Sequence, residues 1–253
     1  MSNVDLYCFS GTGNTLLLCK RMKKVFEGKG AKTRLLKMEH EDPKSIVPEN
    51  IIGLAFPVAI FSTYPVVVRF IKGMPKVDGT RVFMLDTMGG FSIGLVSHIK
   101  TLLRRKGYKT IGAKEFVMPD NFTPSQEKDK KNPAILERAF AKADDYANRL
   151  WEGKTSWPSV PLLPVMTFEL SQMVFRIPDF KKKAVKMDQD KCSKCGLCAK
   201  LCPIKNIAMR EYPVFLGKCE LCMRCIAFCP THALYRKKQD EHRYKAVNNV
   251  DLM

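Results

Sequence analysis

Residues 4–15 read Val-Asp-Leu-Tyr-Cys-Phe-Ser-Gly-Thr-Gly-Asn-Thr, and this stretch decides the fold of the larger part of the chain. Val4 to Phe9 has the apolar character of a buried parallel strand. A helix follows at once, with Leu17, Leu18, Met22, Val25 and Phe26 on one side and Gly28 and Gly30 closing it. Between them lies Ser10-Gly11-Thr12-Gly13-Asn14-Thr15, a turn rich in hydroxyls and glycine at a helix N-terminus. Such a turn gathers backbone N–H groups and three hydroxyl donors, Ser10, Thr12 and Thr15, around one anion. It has no lysine, which excludes a Walker A loop, and no third glycine, which excludes the dinucleotide fingerprint. Two readings remain: a phosphate held by amides and hydroxyls without a cation, or a glycine turn of purely structural purpose.

The hexapeptide is similar, residue for residue, to the loop with which flavodoxins hold the 5′-phosphate of FMN. The chain that follows keeps a strand–helix rhythm. Strands are predicted at Lys32 to Leu36, Asn50 to Phe56, Arg81 to Leu85 and Ile111 to Val117. Helices are predicted from Pro65, from a Ser92 cap to Gly107, and from Asn132-Pro133 onward. This is an α/β class, a doubly wound five-stranded parallel sheet of order 2-1-3-4-5, with its ligand beyond the strand C-termini. The resemblance implies that the flavin ring lies against the loops after strands three and four. The first contains Pro57, Val58, Ala59, Ile60, Phe61 and Tyr64, and the second contains Thr87, Met88, Gly89, Gly90 and Phe91. Tyr64, Phe61 and Phe91 are candidates to stack on the ring, and Gly89 and Gly90 allow close backbone approach. Residues 119–122 reach the same rim.

The C-terminal third carries Cys192, Cys195, Cys198 and Cys202 before Pro203, and Cys219, Cys222, Cys225 and Cys229 before Pro230. Each run is C-x2-C-x2-C-x3-C-P, the spacing of a ferredoxin with two [4Fe–4S] clusters, in which each fourth cysteine ligates the other cluster. By that rule Cys192, Cys195, Cys198 and Cys229 hold one cluster, and Cys219, Cys222, Cys225 and Cys202 hold the other. Zinc is the alternative, but it favours separated C-x2-C knuckles. Disulfides would need an oxidising compartment that nothing in the sequence suggests. Cys8 and Cys19, outside the runs, read as buried packing thiols.

The formal net charge is +18 over 253 residues. Basic residues come in short scattered runs, such as Arg104-Arg105-Lys106, Lys181-Lys182-Lys183 and Arg236-Lys237-Lys238, without interleaved aromatics. No nucleic-acid partner is expected from that pattern. An acidic redox partner protein is the functional reading, and a solvated charged face is the bland one. Met1 to Asp5 lead straight into a strand, so no signal peptide is expected. The nearest approach to a membrane span, Val160 to Phe180, is broken by Pro161, Pro164, Glu169, Arg176 and Pro178. A cytoplasmic protein in a reducing, anaerobic setting is the expectation; a homodimer is compatible with the sequence, which does not fix the oligomeric state.

The whole chain resembles the EFR1-type flavodoxin–ferredoxin fusion proteins. The resemblance divides it into a flavodoxin-like FMN domain over 1–153 and a small α+β two-cluster ferredoxin-like domain over 184–236. A linker over 154–183 docks the two through Trp157, Leu162, Leu163, Met166, Phe168, Leu170, Met173, Val174 and Phe175, and a polar basic tail, partly disordered, spans 237–253. Two departures stand out. The chain is basic where such proteins are usually acidic, and residues 57–64 contain no glycine. The resemblance implies electron transfer between two [4Fe–4S] clusters and FMN, with a ferredoxin-dependent reductase of a small acceptor as the alternative.

Overall fold

The computed structural model describes residues 3–92, 94–158, 164–175, 177, 185–236 and 242–253. The linker residues Leu162 and Leu163, the side chain of Met166, and residues 237–241 of the tail lie outside that description. Strands β1 (Val4–Cys8), β2 (Thr33–Lys37), β3 (Ile51–Ala59), β5 (Arg81–Met88) and β6 (Lys109–Val117) form a parallel sheet of order β2-β1-β3-β5-β6. A two-residue strand, β4 (Ser62–Thr63), pairs antiparallel with the end of β3. Helices α1 (Asn14–Gly28), α2 (Pro65–Gly73), α3 (Leu95–Arg104) and α4 (Gln126–Trp151) cover the faces. This is the flavodoxin-like doubly wound order, whose reversal at β1 and β3 opens a crevice beyond their C-terminal ends.

Alternation along the strands sends side chains into two cores. Leu6, Cys8, Phe83 and Leu85 meet Leu18, Met22 and Tyr146 of α1 and α4. Tyr7, Phe9, Leu54 and Met84 meet Val67, Ile71 and Ile99 of α2 and α3. Trp157 joins the second core, donating from Nε1 to the Val96 carbonyl at 3.0 Å. Phe168 on α5 (Pro164–Val174) and Phe175 are buried there too, while Leu170 and Met173 are exposed.

Four expectations are corrected. β3 runs on through Pro57 to Ala59, since Pro57 lies past the last β1–β3 pair, Cys8 with Ala55, and its missing N–H breaks no bond to β1. The segment after it is a hairpin whose tip residues Ile60 and Phe61 have φ of 50° and 61°. That left-handed pair is the backbone of a tight two-residue hairpin, held here by residues ill suited to it. Ser92 does not cap α3. Its hydroxyl donates to Glu115, and Gly94 (φ 71°) stands at the cap. The last helix starts earlier, at Gln126, because Ser125 accepts from the Lys128 N–H and Glu127 and Asp129 favour the first turn. Pro133 is then inside the helix on its exposed side, where the carbonyl it leaves unpaired can be solvated.

The C-terminal part is built of short pieces: β7 (Lys186–Met187), α6 (Leu197–Leu201), β8 (Ile207–Met209), β9 (Pro213–Phe215), α7 (Arg224–Ala227) and β10 (Leu234–Tyr235). β7 pairs with β10 and β8 with β9, both antiparallel. Leu201, Ala227, Phe228 and the chain-end Leu252 bury into the α1/α4 core, so the two parts share hydrophobic contact. No helix among the described residues is long and apolar enough to cross a membrane.

One buried group makes stability depend on pH. Asp86 is fully buried on β5 and neither carboxylate oxygen has a hydrogen-bond partner among the described residues. Burial pushes its pKa well up, Glu115 adds to the rise, and Lys142 opposes it. A raised folded-state pKa favours folding most below the unfolded value, about 3.9, and that support is lost as pH rises toward the folded value. Asp86→Asn removes the dependence. Its advantage in unfolding free energy over the wild type should grow from pH 4 to pH 7, at up to about 1.4 kcal/mol per pH unit. A pH-independent difference in thermal melts would rule this out.

Candidate cofactor sites

The loop between β1 and α1 has the donors to hold an anion. All its residues, Ser10 through Thr15, are buried. No acceptor among the described residues meets the backbone N–H groups of Gly11 to Thr15, while those of Leu16 and Leu17 are used by Ser10 Oγ and the Gly13 carbonyl. Orphaned buried amides are rare, and a cluster of them at a helix start fits a phosphate. The hydroxyls are held in place: Thr12 Oγ1 accepts from Asn121 Nδ2 at 3.0 Å, and Thr15 Oγ1 lies 2.8 Å from Thr87 Oγ1. Asn14 donates to the Pro119 carbonyl at 2.8 Å.

Beside this loop is a small cleft, open to solvent. Of the residues expected there, Ser10, Gly11, Thr12, Asn14, Thr15, Pro57, Val58, Tyr64, Thr87, Met88 and Gly89 line it. Pro119 and Asn121 join them from the loop after β6. Gly13, Ala59, Ile60, Phe61, Gly90 and Phe91 are not among the lining residues. Phe61 and Phe91 instead pack on each other at 5.6 Å, both exposed. Asp86 faces away from this cavity, because alternation puts Thr87 toward the loop.

The eight cysteines of the two runs surround two further cavities. Cys202, Cys219, Cys222 and Cys225 line one. Cys192, Cys195, Cys198 and Cys229 line the other. Each set thus holds three cysteines of one run and the fourth of the other. Among the described residues no three His, Cys, Asp or Glu side chains converge as a single ion would need. Burial pushes the Cys222 thiol up to about 12 and the Cys198 thiol to about 11. Without a metal these sulfurs stay protonated at neutral pH, and ligation supplies the charge that makes them thiolates. Backbone N–H groups already point at two of them, from Asn206 to Cys202 Sγ at 3.1 Å and from Leu221 to Cys219 Sγ at 3.4 Å.

The second-run cavity and the loop cavity are neighbours. A Cβ on Gly11 would lie 2.5 Å from the Cys222 carbonyl oxygen, so the two backbones touch. Phe9 lines the second-run cavity, and its ring is 5.4 Å from Tyr64, which lines the loop cavity. Glu220 reaches the start of α2, accepting from the Val66 N–H and from Arg69, each at 2.8 Å. The first-run cavity is lined, among the described residues, only by the C-terminal part, and Cys195 is exposed.

The sequence reading missed how the tail is used. Residues 242–253 pack on the β1–α1 loop, where a partly disordered tail was expected. Tyr244 Oη donates to Asn14 Oδ1 at 2.8 Å, the Ala246 N–H donates to the Thr12 carbonyl at 2.8 Å, and Val247 lies against Gly13. Asp251 pairs with Lys20, and Leu252 is buried. Val247 and Leu252 were the available signal. For Glu220, and for the pair of Arg224 with Glu39, separated by 185 positions, there was none.

A family model described as a 4Fe-4S binding domain matches residues 185–207, which contain the first cysteine run. No match is found among curated protein sequences. Similar solved structures include a flavodoxin from Megasphaera elsdenii, 24% identical, covering 55% of this chain and 98% of that one at a TM-score of 0.41. A Streptococcus pneumoniae flavodoxin is 11% identical over 60% of this chain and 99% of its own, TM-score 0.46. A flavodiiron protein from Giardia intestinalis is 19% identical over 61% of this chain and 37% of its own, TM-score 0.42. The fold assignment itself rests on the strand order.

Gly11 gives a direct test of the contact between the two parts. Gly11→Ala places a methyl on the Cys222 carbonyl, where only backbone can yield. Overpacking of this kind costs about 1–3 kcal/mol. The variant should melt at lower temperature and be cleaved faster by protease between the two parts; an unchanged melt would show that the backbones do not meet.

Proposed function

We propose that the chain transfers electrons between two [4Fe–4S] clusters held by the crossed cysteine sets and one FMN bound at the β1–α1 loop, as a flavodoxin–ferredoxin fusion of the EFR1 type. The observation that carries the reading is the pairing of two four-cysteine cavities, one of them touching a loop of orphaned buried amides. The donor sets fit both groups. When bound, the clusters supply one-electron steps and the flavin supplies exchange between one- and two-electron chemistry. The protein's own residues do the rest. Amides 11–15 and the hydroxyls of Ser10, Thr12 and Thr15 grip the phosphate. Tyr64, Pro57, Val58, Thr87, Met88 and Gly89 shape the space beyond it, and Tyr244 and Ala246 close its outer side.

The arrangement has a direction. The first-run set, with exposed Cys195, and with Lys191 and Lys194 paired to Asp188 and Glu211, is the outward pole; the chain's net charge of +18 suits an acidic redox protein. The second-run set is the inward pole. The reductase alternative, with a small acceptor at the flavin, draws on the exposed Phe61–Phe91 pair, which lies outside the lining and leaves that rim uncovered.

Anaerobic preparation should yield eight irons, eight sulfides and one FMN per chain; four irons, or none, would contradict the reading. Cys202→Ser should damage the cluster of the second run and spare that of its own run. Loss of the first-run cluster alone, followed by electron paramagnetic resonance, would contradict the crossing. Thr12→Asp sets a carboxylate in a buried anion site without a cation and should weaken FMN by roughly 3 kcal/mol or more, with both clusters intact. Unchanged FMN affinity by fluorescence titration would place the phosphate elsewhere.

A further inference from the structure

Arg224 lies inside the second cysteine run, between Cys222 and Cys225, yet its side chain is only 3% exposed. Its guanidinium reaches three separate parts of the chain. Nε donates to the Ser10 carbonyl at 2.9 Å, at the start of the phosphate loop. One terminal nitrogen approaches the Leu201 carbonyl at 3.4 Å, next to Cys202. The other donates to Glu39, just past β2, whose side chain is 1% exposed. The guanidinium also lies 5.4 Å from the centre of the Phe9 ring. Arg224 and Phe9 both line the second-run cavity, and Glu39 does not. The second oxygen of Glu39 is buried without a partner among the described residues.

A buried ion pair removes two charges from water and is weak support for stability in itself. Leu or Met at both positions would hold two surfaces together as well. What a guanidinium adds is a fixed positive charge that does not titrate, oriented by several acceptors. Here that charge sits at the wall of one cavity, with its counter-charge set behind it. In surroundings of low dielectric such a dipole acts strongly on any change of charge in the cavity.

We propose that Arg224 is the positioning residue that couples the two cofactor cavities, and that the Arg224–Glu39 dipole sets the reduction potential of the cluster in the second-run cavity. This rests on the function proposed above. Reduction adds one negative charge to the cluster. The guanidinium favours that addition and Glu39 opposes it, so removing either shifts the potential in an opposite sense. The same guanidinium fixes the Ser10 carbonyl, and with it the phosphate loop, against the cluster's own binding loop. Electron delivery and flavin position are thereby tied to one side chain.

The test is an anaerobic redox titration of the full chain, followed by electron paramagnetic resonance, with iron, sulfide and FMN assayed first. The second-run cluster is identified as the one lost in Cys202→Ser. Glu39→Gln keeps size and an acceptor for Arg224 and should raise that cluster's potential. Arg224→Gln should lower it. Each shift should be on the order of tenfold in the one-electron equilibrium constant, about 59 mV, with the first-run cluster moved far less. Arg224→Lys keeps the charge but not the fork, and should hold the potential nearer the wild type while slowing cluster-to-flavin transfer at least tenfold. If Arg224→Gln loses its cluster, Glu39→Gln and Arg224→Lys decide alone. Absence of clusters or FMN from the wild type would overturn the function; cofactors present with no rise in Glu39→Gln, or with Glu39→Gln and a cluster-loaded Arg224→Gln shifting the same way, would overturn only this proposal.

Discussion

Two backbones can approach to contact only where no side chain stands between them, and the meeting of Gly11 with the Cys222 carbonyl is such a place. The rest of the arrangement depends on it. The contact puts a loop with five amides that meet no acceptor among the described residues against the wall of a four-cysteine cavity. It lets Phe9 and Tyr64 stand side by side between the two spaces. It brings Glu220 within reach of the α2 N-terminus, where a carboxylate meets free N–H groups and the favourable end of the helix. A methyl group at residue 11 would push all of these apart together.

Charge follows the same plan. The chain is strongly basic overall, yet among the described residues the charges buried at the junction are few and paired: Arg224 with Glu39, and Glu220 with the exposed Arg69. The surplus of lysine and arginine stays on the surface, where it is screened by salt and acts on partners at a distance. On the proposed function, steering a partner and tuning a buried centre would fall to different residues.

The parts of this that could be read from sequence are those set by local chemistry. Strand, hydroxyl loop and helix follow from residues 4–28, and the parallel order follows from the alternation of apolar runs. The cysteine spacing named the chemistry of the third part. What could not be read was settled by contacts between distant residues or by backbone strain. Ile60 and Phe61 carry no turn signature, so the hairpin at the end of β3 was invisible, and with it the turning of Phe61 away from the cavity. Ser92 looked like a cap and instead serves Glu115. Nothing in the sequence set Arg224 apart from the other basic residues. The tail looked polar, and Tyr244, Val247 and Leu252 were enough to seat it on the loop.

The central claim is that the second cysteine cavity and the flavin cavity are adjacent parts of one molecule and exchange electrons directly. The most direct measurement is rapid one-electron reduction of the anaerobic holoprotein by a photochemical pulse, following flavin and cluster absorbance separately at several protein concentrations. The account predicts a first-order exchange between cluster and flavin whose rate does not change with concentration. A rate proportional to protein concentration would mean that the electrons pass between molecules, and would contradict it.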